Sequence, residues 1–220
     1  SNKKEYAAYT IRPKIKKLLP IYLTDIPKIK SHPIFFKDKK NIIDWGEVIN
    51  DLKIDFTVKT LDWILPGEKE ALNSLNNLNR RLINYDAQRN DPNLDKLSNM
   101  SPYFHYGHLS PQRVAFEIEK SELPLEDKDS FLEEMIVRRE LADNFCHYEK
   151  NYDFFDGYHD WAKKTLNEHR NDEKKYIYSP NQFEESQTHN DLWNAAQNEM
   201  KVKGKMHGFM RMYWAKKILE

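Results

Sequence analysis

The stretch Gly204-Lys205-Met206-His207-Gly208-Phe209-Met210-Arg211-Met212-Tyr213-Trp214-Ala215-Lys216-Lys217-Ile218 decides the fold class. It reads as a helix over 205–220, set off by Gly204 from another over 181–202. At about 100° per residue, His207, Met210, Arg211, Trp214 and Ile218 share one face. Met212 points the opposite way, so both faces are occupied. An arginine buried among Met and Trp needs an acidic partner or an anionic ligand, because an unpaired buried guanidinium is costly. Two readings stay open on periodicity alone. One is an ordinary core helix with a single structural ion pair, and the other is the wall of a site for an anionic aromatic ligand.

The same helical period runs outward through the chain. Only six glycines and no alternating strand pattern predict a mostly helical structure. An amphipathic helix over 4–24 is interrupted near Pro13 and Pro20, and residues 25–66 form a connector with one short helix around 46–53. Leu72, Leu75, Leu78, Leu82 and Tyr85 predict a helix over 68–89, ended by Asn90-Asp91-Pro92. Ser110-Pro111 opens a helix to about 120 after a loop. Ser130 and Glu133 have capping-box spacing and start a long helix through about 149. A further helix is expected over 157–169.

Composition narrows the function classes. Hydrophobic residues make up 39%, charged residues 32% and aromatic residues 13%, too aromatic for a disordered chain. Lys plus Arg and Asp plus Glu each number 35, so nucleic-acid binding has to come from a local patch. The single Cys146 excludes an internal disulfide and reads as a small buried hydrophobe. No apolar stretch approaches a membrane span, and Ser1-Asn2-Lys3-Lys4 lacks a signal-peptide core, so an intracellular protein is expected.

The common catalytic signatures are missing: no Walker A loop, dinucleotide glycine fingerprint, CxxC or HExxH. His105 and His108 have metal-ligand spacing, but without a third ligand nearby they read as histidines packed among aromatics. Glu134 and Arg138 stand i,i+4, where an ion pair on one helix face is the default. Lys201, Lys203 and Lys205 form a short basic cluster beside the aromatic helix. That cluster is either solvated or a basic rim of the kind single nucleotides and extruded bases favour.

Three ungapped stretches resemble the class II cyclobutane pyrimidine dimer photolyases. They are Trp193-Asn194-Ala195-Ala196-Gln197 with 204–220, residues 101–110 (Ser101-Pro102-Tyr103-Phe104-His105-Tyr106-Gly107-His108-Leu109-Ser110), and residues 131–145. The resemblance covers 66–220 and reaches 4–24 more weakly. It implies a mainly α fold: the helical FAD-binding domain of the photolyase/cryptochrome superfamily, incomplete at its C-terminus and preceded by the tail of an α/β antenna domain. Residues 1–30 would end the antenna domain, 31–66 would connect the two, and 67–220 would form part of the catalytic domain.

The family's chemistry is light-driven. Reduced FAD lends one electron to a pyrimidine dimer flipped out of duplex DNA, the cyclobutane ring splits, and the electron returns. Carried over by position, the resemblance assigns flavin binding to Tyr85, Ser98, Asn99, Met100, Ser101, Arg139 and Arg211. Glu134 would hydrogen-bond the dimer and Met212 would lie against it. Trp214 and Trp193 would be the first two tryptophans of an electron-transfer chain. Arg138, Lys201, Lys203 and Lys205 are the candidate DNA contacts, and a monomer acting without a membrane is expected.

This sequence departs from the family in three ways. The third tryptophan would fall immediately after Glu220, and the later helices that hold the acidic partner of Arg211 lie outside the chain. Most of the antenna domain is missing, so the antenna chromophore is unknown. Arg138 stands where some relatives carry a tryptophan that packs on the dimer. The chain therefore reads as an internal fragment that alone binds FAD weakly or not at all. A cryptochrome-like flavin photoreceptor and a flavin-free helical nucleic-acid-binding module are the alternatives.

Overall fold

The computed structural model describes residues 1–34 and 43–219, and its described residues contain helices and no strand. The chain divides into two compact units, Ser1–Thr24 with Pro66–Glu220, and Asp25–Leu65. In the second unit the expected short helix is α2, Trp45–Asp51, whose N-cap Asp44 accepts from the Gly46 and Glu47 amides. The described residues contain no helix long and apolar enough to cross a membrane.

In the first unit, α1 (Ala8–Tyr22) runs unbroken through Pro13 and Pro20, against the expected interruption. An internal proline costs a helix about 3 kcal/mol, and tertiary contacts offset that cost here. Ala8 and Ile11 are buried against Val137, with Ile15 and Leu141 packed on the same cluster. On the neighbouring turn Arg12 donates two hydrogen bonds to Glu133, at 2.9 and 2.7 Å. The segment before α1 is fastened as well: the Glu5 amide donates to Asn144 Oδ1 at 2.7 Å, and Asn144 Nδ2 donates to the Lys3 carbonyl.

The helix expected over 68–89 is three pieces: α3 (Glu68–Asn76), α4 (Leu78–Leu82) and α5 (Tyr85–Gln88). Leu78, Leu82 and Tyr85 are buried as the spacing implied. The last break falls at Asn84, which takes φ 61°. The buried Asp127 carboxylate accepts from the Asn84 and Asp86 amides at 2.8 and 2.9 Å, so it serves as a remote cap for α5.

A short α6 (Ser101–His105) stands where a loop was expected, followed by α7 (Pro111–Glu119) at the predicted position. The Ser130–Glu133 capping box does not form. α8 starts earlier, at Leu125, and runs to Leu132 with Ser130 inside it. Residues Glu133–Arg138 then continue as a π-helix into α9 (Arg139–Tyr148). Cys146 is exposed on α9, correcting its reading as a buried hydrophobe.

α10 (Asp160–Glu168) and α11 (Pro180–Glu184) lead to α12 (Asp191–Lys203) and α13 (Gly208–Leu219). A true capping box opens α11, where Ser179 and Gln182 exchange side-chain and backbone bonds. Asn190 Oδ1 caps α12 by accepting from the Trp193 amide at 2.9 Å. Gly204 ends α12 in the left-handed conformation, φ 62°, which glycine takes without a Cβ penalty. The chain then turns back so that Met206 and Met210 meet Ala196, with Tyr213 and Trp214 packed on them.

Candidate functional site

The site candidates singled out in the sequence fall on five elements: α5, the 98–101 loop, the π-helical turn, the start of α9, and the α12–α13 pair. Met100 anchors the loop. It is 1% exposed, and its carbonyl accepts the first turn of α6 from Phe104 at 3.2 Å. Before it, Asn99 turns at φ 57° and the Ser98 hydroxyl accepts from the Met100 amide at 3.4 Å. Arg81 holds the approach by donating to the Leu97 carbonyl and pairing with Asp95. From the far side Lys205 Nζ reaches Asn99 Oδ1 at 3.3 Å. Residues more than a hundred positions apart in sequence thus meet at one polar loop.

Tyr85 is buried with its ring edge-on to Phe131 at 5.8 Å, and burial pushes its phenol pKa up. The Arg89 guanidinium lies 5.8 Å from that ring and pairs with Glu134 at 3.0 Å. Arg89 therefore ties a cofactor candidate to a catalytic candidate. Sequence reasoning missed it, although its i,i+4 spacing from Tyr85 was visible.

The expected Glu134–Arg138 pair is not formed. The π-helical turn matches i with i+5, and Arg138 Nε lies 3.4 Å from Glu133 instead. Glu133 receives Arg12 as well, and those hydrogen bonds hold its carboxyl below the usual carboxylate range. Glu134 is left 42% exposed on its side chain, accessible to a ligand with Arg89 behind it.

On α13 the expected common face is only half realised. His207 and Met210 are buried and Trp214 is half-buried, but Arg211 is exposed, as are Met212 and Ile218. Arg211 makes no ion pair among the described residues, and its exposure corrects the reading that it is buried among Met and Trp. Solvent satisfies the charge where no acid does. Its Nη2 lies 3.6 Å from the point a Gly208 Cβ would occupy. Arg139 is exposed too, with only a 4.0 Å approach to Asp143. Among the lysines, Lys201 pairs with Glu185 at 3.1 Å, Lys205 turns to Asn99, and Lys203 is exposed.

His207 was not among the site candidates. It is 5% exposed, and its Nδ1 accepts from the Phe209 amide at 3.2 Å. That bond puts the ring proton on Nε2, which is buried with no partner. Burial, and then the neighbouring Lys205 and Arg211, depress its pKa. His105 and His108 lie among aromatic rings, His108 accepting from the Gly67 amide at 3.2 Å.

The best-defined geometry is the tryptophan pair. Trp193 is 2% exposed and stacks on Trp214 with centroids 5.8 Å apart and planes 13° from parallel. Trp193 Nε1 donates to the Trp214 carbonyl at 3.0 Å, and Trp214 Nε1 donates to Gln197 Oε1 at 3.0 Å. Both indoles are thereby locked in orientation. Gln197, buried at the centre of this arrangement, is a second residue that sequence reasoning passed over.

No family model matches the chain. Along all of its length it is 46% identical to the deoxyribodipyrimidine photo-lyase of Potorous tridactylus, of which it covers 42%. It is 47% identical to that of Arabidopsis thaliana, covering 46%, and 39% identical to that of Methanothermobacter thermautotrophicus, covering 48%. The chain thus spans a little under half the length of these relatives. A bacterial class III photolyase from Agrobacterium tumefaciens shares the fold over 70% of this chain and 31% of its own, with a TM-score of 0.52 at 20% identity.

Proposed function

We propose, on the premise that this chain belongs to the deoxyribodipyrimidine photo-lyase family, that it supplies part of the flavin- and lesion-binding region of a class II enzyme. That enzyme would repair cyclobutane pyrimidine dimers in duplex DNA with light. The observation that carries the reading is the stacked Trp193–Trp214 pair. Two indoles in van der Waals contact, each fixed by a hydrogen bond, form a path for single electrons toward a redox cofactor.

The residues present fit FAD. A buried Nε2–H on His207 lacks an acceptor two positions from Lys205, Ser98 and Ser101 offer hydroxyls, and Arg139 and Arg211 present open guanidinium groups. This donor set suits a diphosphate and an electron-rich ring. Bound and fully reduced, FAD supplies the photoexcited electron that opens the cyclobutane ring and takes it back afterwards.

The chain's residues place and stabilise the reactants. Tyr85 and residues 98–101 hold the cofactor, with Met100 buried beneath the loop as its anchor. Glu134, held by Arg89, hydrogen-bonds the dimer, and Met212 packs against it. Arg138, Lys201, Lys203 and Lys205 face the DNA phosphates. Extrusion of the lesion is inexpensive because a dimer is already poorly stacked. Trp214, with Trp193 behind it, would pass single electrons toward an oxidised cofactor and so restore its reduced, active form. Residues 1–30 end an antenna domain and 31–66 connect it to the helical region. The enzyme acts as a monomer inside the cell.

The test is repair of a thymine dimer in an oligonucleotide by the full-length protein under blue light. Repair in light and none in the dark is expected, and Glu134→Gln should slow it by about tenfold or more, the scale of one charge-assisted hydrogen bond. A flavin-loaded protein that repairs nothing in light would favour the photoreceptor and defeat this reading.

A further inference from the structure

The aromatic contacts do not stop at the two tryptophans. Phe183 lies edge-on to Trp193 at 5.2 Å, and Tyr178 lies edge-on to Phe183 at 5.5 Å. Beyond them the His189 ring is nearly parallel to Tyr178 at 6.0 Å and stacks on Tyr176 at 3.7 Å. The rings make a continuous file from Trp214 to the exposed Tyr176.

One hydrogen-bond arrangement in that file has a chemical direction. The His189 backbone amide donates to the Tyr178 hydroxyl oxygen at 2.8 Å. The same oxygen is within hydrogen-bond distance of His189 Nδ1. The amide occupies one lone pair of the phenol oxygen, and in the His189 tautomer that carries its ring proton on Nε2 the phenol proton points at Nδ1, which is then the acceptor. Tyr178 therefore stands with a base on its proton, and stacking on Tyr176 holds that base in place. A phenol that loses an electron becomes a strong acid, so it is oxidised readily only where its proton can leave at once. Phe183 has no such proton and serves only as the medium between Trp193 and Tyr178.

We infer that Tyr178 is a terminal electron donor of this relay and that His189 is the acceptor of its proton. The inference rests on the reading of Trp214 and Trp193 as an electron path. In the step, the oxidised Trp193 gains one electron from Tyr178 and returns to its neutral form. The Tyr178 O–H bond breaks, its proton moves to His189 Nδ1, and a neutral phenoxyl radical with an imidazolium beside it remains. The amide of His189 stays hydrogen-bonded to the phenoxyl oxygen. Charge is thereby parked two rings from Trp193, where return to the cofactor is slowed.

The experiment is electron paramagnetic resonance of the full-length, flavin-loaded protein illuminated without added reductant. A tyrosyl signal is expected in the unaltered protein and should form more slowly in D2O. Tyr178→Phe should lose that signal and leave a tryptophanyl one. His189→Asn, which keeps a hydrogen-bond acceptor but no base, should lose it too. In His189→Ala added imidazole should restore it, a rescue that a merely structural histidine would not show. A tryptophanyl signal alone in the unaltered protein, or a tyrosyl signal that survives in Tyr178→Phe, overturns the inference and leaves the tryptophan path standing. Protein radicals undiminished in Trp193→Phe would overturn the path itself, and this inference with it.

Discussion

Arg211 and Trp214 lie three positions apart on α13, yet one is exposed and the other packs into the core. Periodicity gave both the same face, because a sequence pattern records which positions align but not which neighbour arrives to cover them. Trp193 was legible either as a core anchor or as a redox group, and its burial agrees with the first without excluding the second. Replacing it with alanine should destabilise the full-length protein by about 3–5 kcal/mol, read from denaturant unfolding. Trp193→Phe should cost less while still breaking the electron path. Gly157 carries a different constraint, since a Cβ there would stand 2.1 Å from the Asn151 carbonyl oxygen. Gly157→Ala should therefore destabilise by about 1–3 kcal/mol, measured the same way. No sequence feature announced that approach, which arises from the turn of the chain over 151–157.

Helices were legible at the level of the element, and so was the break at Gly204, but the interruptions within 68–89 and 130–149 were not. The apolar spacing of 68–89 marked the right buried residues, yet the backbone breaks at Asn84 because a buried Asp127, over forty positions away, captures the Asn84 and Asp86 amides. The π-helix at Glu133–Arg138 was equally hidden, since one added residue per turn leaves no local mark in composition. It separates Glu134 from Arg138 and turns Glu133 toward Arg12. Because Arg12 depresses the pKa of Glu133, the folded value lies below the unfolded one. The contribution of this clamp is full above the unfolded carboxylate pKa and fades as pH falls through the folded one. Glu133→Gln should therefore lower stability at neutral pH and flatten its loss toward about pH 3. Urea midpoints at the two pH values would check this. Equal acid sensitivity in the variant would show that the clamp is not coupled to folding.

For the whole molecule, the long ungapped motifs made the family visible, whereas the site's completeness was not to be read from them. The chain spans under half the length of its curated relatives, and Arg139, Arg211 and Met212 stand exposed. On the proposed function these side chains face a flavin that contacts further parts of the full-length protein. The 220-residue chain alone should then bind FAD far more weakly than the full-length protein, as titration of flavin fluorescence would show. The most direct measurement is the visible absorption of the full-length, flavin-loaded protein during blue illumination with an external reductant. Steady loss of the oxidised flavin band is expected, abolished in Trp214→Phe. A band that bleaches equally fast in that variant would contradict the tryptophan path and the site built around it.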